Sequence, residues 1–388
     1  MEAANFPVKA VFVIKKIRYN RKMLTEKDIL QAIIDEKVGL PPLMVRLIRG
    51  QAKKQISASN KYLSPDAQVE VSWGRRRWNF LAEIKAAATP KAFANAIATV
   101  KPAAIKTKLN PMIVLPYLSP EKLAELEKLG ISGLDLCGNG VVIVPGAVLV
   151  ARTGEPNRFP RSEPIRNVYR GDSSFVGRVF LVKPRYQAVG EIVTTIREMG
   201  GSITIATVSK VLKTLEADLI VERSSNGIGL IQAEKLLDQL AANYRSPRLL
   251  ERWVGKVEIG ESELSKSLAD GARSIDSRFI ITGAASAVKY SVFAREPVVA
   301  AYCTVSPKKI LSALAVNSEE TDRFPNVDLI RTDDGLPYFD SIKQDSFEYA
   351  SPVQAYLELM SGDKRQRETA VQVREYILRR LKDYKKTR

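Results

Sequence analysis

Apolar positions recur along the chain with two periods, and the switch between them marks out the elements. Val69, Val71 and Trp73 alternate with polar neighbours, which predicts a strand. Gly74 with Arg75, Arg76 and Arg77 predicts a turn, and WNFLAEIK predicts the returning strand. A helix is expected over 25–37, and the N-terminal MEAANFPVKAVFVIKK reads as a first strand rather than a signal peptide. TPKAFANAIATVKPAAIKT predicts a helix and PMIVLPYL a buried strand. SPEKLAELEKLG predicts a helix capped by Ser119 and ended by Gly130, and 131–151 predicts further strands. This β-β-α-β-α-β order suits a layered α/β arrangement with a mixed sheet.

In the middle of the chain the period becomes helical. Val189, Ile192, Ile196 and Met199 share one face, and Gly200-Gly201 stops that helix. After a short turn, Ile205, Val208, Val211, Leu212 and Leu215 predict a second helix. Its other face carries Thr204, Thr207, Ser209, Lys210, Lys213 and Thr214. LIVERSS and GIGLIQ then read as a hairpin turned at Asn226-Gly227. Helix, turn, helix and hairpin in this order predict a winged helix-turn-helix. Short polar and basic side chains on its second helix suit phosphate and base-edge contacts in a major groove. The plainer alternative is a small domain for protein contacts. Farther on, LLERWVGKVEIGESELSKSLADGARS reads as helices and a turn. RFIITGAASAVKYS and EPVVAAYCTVS mix helix and strand, NVDLIRTD and GLPYFDSI read as strands, and two helices meet at Gly362-Asp363. Val371, Val373, Tyr376, Ile377 and Leu381 form the apolar stripe of the last one.

Composition narrows the chemistry. Histidine is absent, so catalytic triads, HExxH metalloproteases and Cys/His zinc fingers are excluded. The two cysteines, Cys137 and Cys303, give no disulfide framework and suggest a reducing, cytoplasmic setting. No apolar run approaches the roughly 18 residues of a membrane helix, so no membrane partner is expected. The net charge is +17, and it is unevenly placed. Residues 1–170 hold 28 Lys/Arg against 14 Asp/Glu, residues 171–246 hold 9 against 8, and residues 247–388 hold 23 against 21. A concentrated positive charge is the footprint of a polyanion partner, here double-stranded DNA.

One constellation carries catalytic chemistry. Glu83 and Lys85 flank Ile84 on the second predicted strand and share a face, and Asp66 opens the first. Two carboxylates to hold Mg²⁺ and a lysine to stabilise developing charge or help activate water are what a magnesium-dependent phosphodiesterase needs. The segment resembles the PD-(D/E)xK nuclease signature, here Pro65-Asp66 followed by Glu83-Ile84-Lys85. That resemblance implies catalytic Asp66, Glu83 and Lys85, with Asp66 and Glu83 as metal ligands. Glu26 or Glu36 is a further acid some such nucleases use, and the sequence leaves both open.

A second resemblance spans most of the chain. It rests on Pro116–Ser119, on the box Gly130, Leu134, Asp135, Gly138 and Asn139, and on the stretches 236–247 (LLDQLAANYRSP), 278–287 (RFIITGAASA) and 351–359 (SPVQAYLEL). Together these are similar to AbiEi-type winged-helix transcriptional regulators, the antitoxins of type IV toxin–antitoxin systems. The resemblance implies a DNA-binding repressor or antitoxin with a cognate toxin or partner protein, and a homodimer is a further partner to consider. The best-known members carry the winged helix at the N-terminus, whereas here it follows a nuclease-like module. The expected fold class is therefore α/β plus α+β in three domains. These are a restriction-endonuclease-like basic domain at 1–165, a winged helix-turn-helix at 172–246 and a C-terminal α+β domain at 247–388. The expected function is a DNA-binding transcriptional regulator, with Thr204, Thr207, Ser209, Lys210, Lys213 and Arg75–Arg77 on DNA. The alternative is a Mg²⁺-dependent DNA endonuclease or nickase targeted by its winged helix.

Overall fold

The structure, a computed structural model, describes residues 24–48, 65–160, 166–291, 298–314, 316–344 and 347–386. The expected N-terminal strand at 1–16 lies outside them. The chain forms two compact units, residues 1–164 and 165–388. Both mix helices with sheets, and among the described residues no helix is long and apolar enough to cross a membrane.

Among the described residues of the first unit, α1 (Glu26–Ile34) comes first, its start fixed by Thr25 and Asp28 in a reciprocal cap. β1 (Met44–Leu47), β2 (Ala67–Trp73) and β3 (Arg76–Ile84) follow as an antiparallel meander. Gly74, at φ +59°, makes the β2–β3 turn tight. Then come α2 (Pro90–Thr107), β4 (Asn110–Leu115), α3 (Pro120–Leu129), β5 (Ser132–Asp135), β6 (Gly140–Val144) and β7 (Val148–Arg152). Caps at Thr89 and Ser119 open α2 and α3, and Gly130, at φ +67°, closes α3 as expected. The sheet runs β1 to β7 in sequence order, with β3, β4 and β5 parallel. Alternation puts Val69, Val71, Phe80, Ala82 and Ile84 on one face against Ile29, Ala32 and Ile33 of α1. Ile113 and Leu115 face the other way, against Phe93, Ala96 and Val100 of α2 and Leu123 and Leu126 of α3.

The second unit opens with α4 (Ser174–Phe180), β8 (Arg185–Tyr186), α5 (Val189–Glu198) and α6 (Ile205–Ala217). β9 (Val221–Ser224) and β10 (Gly227–Leu230) form the hairpin, and α7 (Ala233–Ala242) follows. β10 lies between β8 and β9. The hairpin turn is Ser225-Asn226 rather than Asn226-Gly227, and Gly227 already pairs with Ser224. Gly227 is nonetheless required: its φ is +100°, and a Cβ there would lie 2.3 Å from the Tyr186 carbonyl of β8.

The rest comprises β11 (Glu251–Val257), α8 (Glu261–Ser274), β12 (Phe279–Ile281), α9 (Gly283–Ala287), β13 (Val299–Cys303), α10 (Pro307–Leu314), β14 (Ser318–Glu320), β15 (Val327–Arg331), β16 (Ile342–Gln344), β17 (Phe347–Tyr349), α11 (Pro352–Ser361) and α12 (Lys364–Lys386). The strands join as β14-β11-β15-β13-β12-β17-β16. Residues 251–257 form a strand, not the expected helix, because Trp253, Gly255 and Val257 alternate inward. Residues 336–338 form a single 3-10 turn where a strand was expected. In α12, Val373, Ile377 and Leu381 are buried as expected, but Val371 is 53% exposed and Ala370 takes its place in the core.

The boundary expected at 246/247 falls inside one core. Val353, Tyr356, Leu357, Val373 and Ile377 of α11 and α12 pack with Val176, Phe180, Ile192, Leu212 and Leu236 of the helix–turn–helix segment. A polar network crosses the same core. Gln354 is fully buried; its Oε1 accepts from Arg178 Nη1 at 2.8 Å, and its Nε2 donates to Glu358 Oε1 at 2.6 Å and Tyr244 Oη at 3.2 Å. Glu358 Oε2 accepts from Thr282 Oγ1 at 2.6 Å and from the Gly283 amide at 2.8 Å. The stretches 236–247, 278–287 and 351–359 thus meet at Tyr244, Thr282, Gly283, Gln354 and Glu358.

Candidate functional site

Strand register builds the first site. Ala67 pairs with Ala82, so Asp66 stands beside Glu83 at the same end of the β2–β3 ladder. The Ile84 amide donates to Asp66 Oδ2 at 2.8 Å, which fixes the carboxylate against the strand. Lys85, two residues beyond Glu83, swings its ammonium back to Glu83 Oε1 at 2.5 Å. The same Nζ lies 3.8 Å from Asp66 Oδ2 and 3.7 Å from Glu26 Oε1. The three residues expected to be catalytic therefore come together, and of the two further acids left open Glu26 lies at this corner. Packing of Ile29 and Ile33 on the sheet brings the first turn of α1 to this corner. Glu36 instead sits past the end of that helix, at φ +55°, and pairs with Arg46 at 3.1 Å.

The electrostatics are uneven. Glu83 is only 4% exposed, and its Oε2 is buried with no hydrogen-bond partner. Burial pushes the Glu83 carboxyl above its ordinary range, against the pull of Lys85. Burial also works to lower the Lys85 ammonium, but the hydrogen bond to Glu83 and the charges of Glu83, Asp66 and Glu26 outweigh it and hold it above the usual lysine range. Lys85 is thus a fixed cation near neutral pH, suited to stabilising charge rather than taking a proton from water. Among the described residues, no three acidic or cysteine side chains converge tightly enough to form a complete ligand set. Two carboxylates with the remaining positions left to water and phosphate oxygens is the usual arrangement for magnesium. The orphaned Glu83 Oε2 and the all-oxygen donors of Asp66 and Glu83 fit that ion.

The predicted arginines lie elsewhere. Arg75, Arg76 and Arg77 are exposed at the β2–β3 turn with Trp73, and Arg77 faces Glu70 at 3.7 Å. Arg76 and Glu83 stand at opposite ends of β3, roughly 23 Å apart at a rise of about 3.3 Å per residue. These arginines cannot touch a phosphate held at the acidic corner.

On α6, Thr204, Lys210 and Lys213 are exposed and Thr207 and Ser209 half-buried. Thr204 caps the helix, accepting from the Thr207 amide at 3.2 Å. Two positions are corrected: Ile205, expected in the core, is 59% exposed, and Thr214, expected on the outer face, is buried with its hydroxyl on the Lys210 carbonyl. The outer face therefore presents Ile205 among threonine, serine and lysine.

Asp135 and Asn139 have an architectural role. Asp135 Oδ1 accepts from the amides of Cys137, Gly138 and Asn139 at 2.7–2.8 Å. Its Oδ2 accepts from the Leu118 amide at 3.0 Å and Asn139 Nδ2 at 2.8 Å. Asn139 in turn exchanges hydrogen bonds with the Glu155 backbone. This box ties the β5–β6 turn to two loops. Both cysteines are buried, which pushes the Cys137 thiol up to about 11 and that of Cys303 to about 12, so neither supplies a thiolate. Comparison of the chain with protein-family models, with characterised proteins and with solved structures finds no match.

Proposed function

We propose that this chain is a divalent-metal-dependent DNA endonuclease or nickase, with its first unit folded as a PD-(D/E)xK nuclease-like module. Residues 174–230 then act as a winged helix-turn-helix that targets it. The observation that carries this reading is the gathering of Glu26, Asp66 and Glu83 around Lys85, with one buried Glu83 oxygen unsatisfied. Asp66 and Glu83 would hold Mg²⁺ or Mn²⁺, which when bound supplies the positive charge that phosphodiester cleavage needs. Lys85 contributes a permanently charged ammonium beside the scissile phosphate, and Glu26 and the Ile84 amide hold Lys85 and Asp66 in place. The surplus of Lys and Arg in residues 1–170 supplies sequence-independent attraction to DNA.

The test is relaxation of supercoiled plasmid with Mg²⁺ or Mn²⁺. Glu83→Ala and Lys85→Ala should each slow nicking about a hundredfold or more. Nicking that persists in both variants would refute the site.

The exposed polar face of α6 favours a second reading, a DNA-binding regulator of the AbiEi type that does not cut and works with a toxin partner. Both readings require α6 to meet duplex DNA. Lys210→Ala and Lys213→Ala should each weaken duplex binding by about 1 kcal/mol and lower the slope of log affinity against log salt by about 1. Unchanged slopes in both variants would remove α6 from the interface. Tight duplex binding with no nicking in any divalent metal would leave the regulator reading.

A further inference from the structure

Trp73 shares a strand face with Val69 and Val71, but it lies past the end of the core they form and is 49% exposed. Directly across the ladder from it is Arg76, with Arg75 and Arg77 on either side in sequence. All three arginines are exposed. The carboxylate facing this group is Glu70, 3.7 Å from Arg77. Arg76 shares the face of Trp73, whereas Arg77, opposite Ser72, lies on the other face with Glu70; among the described residues the tip thus carries an indole and three guanidinium groups, of which Arg77 faces an acid. An exposed tryptophan beside arginines is the composition of an energetic hot spot rather than of idle surface. On its own face Trp73 is flanked by Val71, by Arg76 across the ladder and by the half-buried Trp78 on the diagonal, so the indole sits at the edge of the core with a guanidinium beside it. Charge complementarity selects a polyanion, and the indole selects a flat aromatic partner within it. Bases in a duplex keep their faces stacked on one another, so an indole stacks on a base only where a strand is unpaired.

We propose that the β2–β3 turn is a single-stranded DNA platform, in which Trp73 stacks on an unpaired base and Arg76 on the same face, with Arg75 at the turn, takes the flanking phosphates. Combined with the reading of the acidic corner as a nuclease, on which this part rests, the platform defines a substrate class. The turn is roughly 23 Å from Glu83 along β3, which is about seven steps of a B-form strand at 3.4 Å each. The preferred substrate is then a duplex with an unpaired stretch, such as a flap or bubble, within about seven nucleotides of the cut.

The experiment measures binding of the full chain to fluorescein-labelled dT20 and to a 20-base-pair duplex, in EDTA so that nothing is cut. Trp73→Ala should weaken dT20 binding about thirtyfold, the middle of the range for one stacked base, and leave the duplex within about twofold. Trp73→Phe should fall between the two. Tryptophan fluorescence should be quenched by dT20 in the wild type and far less in Trp73→Phe, because Trp253 is buried and Trp78 half-buried. Wild-type dT20 affinity in Trp73→Ala overturns the proposal. So does poly-glutamate competing as well as dT20 at equal charge, since that would mean an acidic protein surface is the occupant. The two readings fail separately. A chain that binds dT20 through Trp73 but never nicks loses only the nuclease reading, and a nicking chain whose dT20 binding ignores Trp73 loses only the platform.

Discussion

Replacing Gln354 by leucine should loosen the whole second unit. Gln354 is fully buried, and its side chain is the one hydrogen-bonded link between Arg178 on α4 and Glu358 on α11 among the described contacts. Leucine fills similar volume but accepts nothing, so the 97%-buried Arg178 loses its Nη1 partner while its Nε is already unsatisfied. A hydrogen bond to a charged group contributes about 1.5–3 kcal/mol, and stranding a buried charge costs about 3–5 kcal/mol. Gln354→Leu should therefore cost about 3–5 kcal/mol. Arg178→Met leaves only a neutral amide oxygen without a donor and should cost about 1–3 kcal/mol. In the double variant the charge and its acceptor go together, so its cost should fall short of the sum by about 2 kcal/mol or more. Trp253 is the single tryptophan of residues 165–388, so in a Trp73→Phe, Trp78→Phe background its fluorescence follows this unit alone. With a urea slope of about 2–3 kcal/mol per molar, Gln354→Leu should lower the midpoint by about 1–2.5 M. Strict additivity, within about 0.5 kcal/mol, would refute the view that Gln354 exists to satisfy Arg178.

Asp340 gives the same unit a pH dependence. Burial lifts its carboxyl to about 6, against the pull of Arg380 and Arg178, so the folded state favours the protonated form. A folded pKa raised above the ordinary 3.8 means a contribution fully present below about 4 and lost as pH rises through about 6, at most about 3 kcal/mol. Asp340→Asn should match wild type in urea midpoint at pH 4 and exceed it at pH 7; equal midpoints at pH 7 would sink this assignment.

Periodicity made most of the framework legible, and its failures have physical causes. α4 leaves no trace in the pattern because every residue from Ser174 to Phe180 is buried, so no amphipathic contrast marks it. Around β11 the sequence misleads, because Leu249, Leu250, Trp253 and Val257 mimic helical spacing, yet Leu249 and Leu250 are exposed and the strand begins after them. The network of Arg178, Gln354 and Glu358 was invisible because buried polar residues look like surface in a pattern, and Arg178 lies far from Gln354 in sequence. At the acidic corner, spacing of two on a strand puts Glu83 and Lys85 on one face, and the resemblance to the PD-(D/E)xK signature adds Asp66. Choosing Glu26 over Glu36 needed the tertiary packing of α1. The Ser225-Asn226 turn was misplaced by one residue because Gly227 is demanded by its close approach to Tyr186, not by a turn with positive φ at both residues.

Two buried carboxylates in the same sheet have contrasting surroundings. Asp135 is surrounded by five donors and organises two loops and a turn. Glu83 is as deeply buried, with Lys85 as its hydrogen-bond donor and one oxygen left orphaned. An unsatisfied buried oxygen costs about 1–3 kcal/mol, and the fold retains it where an apolar side chain would be cheaper. On the proposed nuclease reading that oxygen is kept for a metal ion, although Asp218 and Arg178 also carry an orphaned buried atom. Glu83→Gln keeps an acceptor for Lys85 and removes the buried charge, so it should leave the melting temperature of the first unit unchanged or raise it while abolishing nicking. Asp135→Ala strips five donors of their acceptor and should cost about 3 kcal/mol or more, roughly 6–12 °C. Calorimetry on the full chain compares both. A Glu83→Gln variant destabilised as much as Asp135→Ala would make Glu83 an architectural residue, and the metal-dependent nuclease reading would lose its central support.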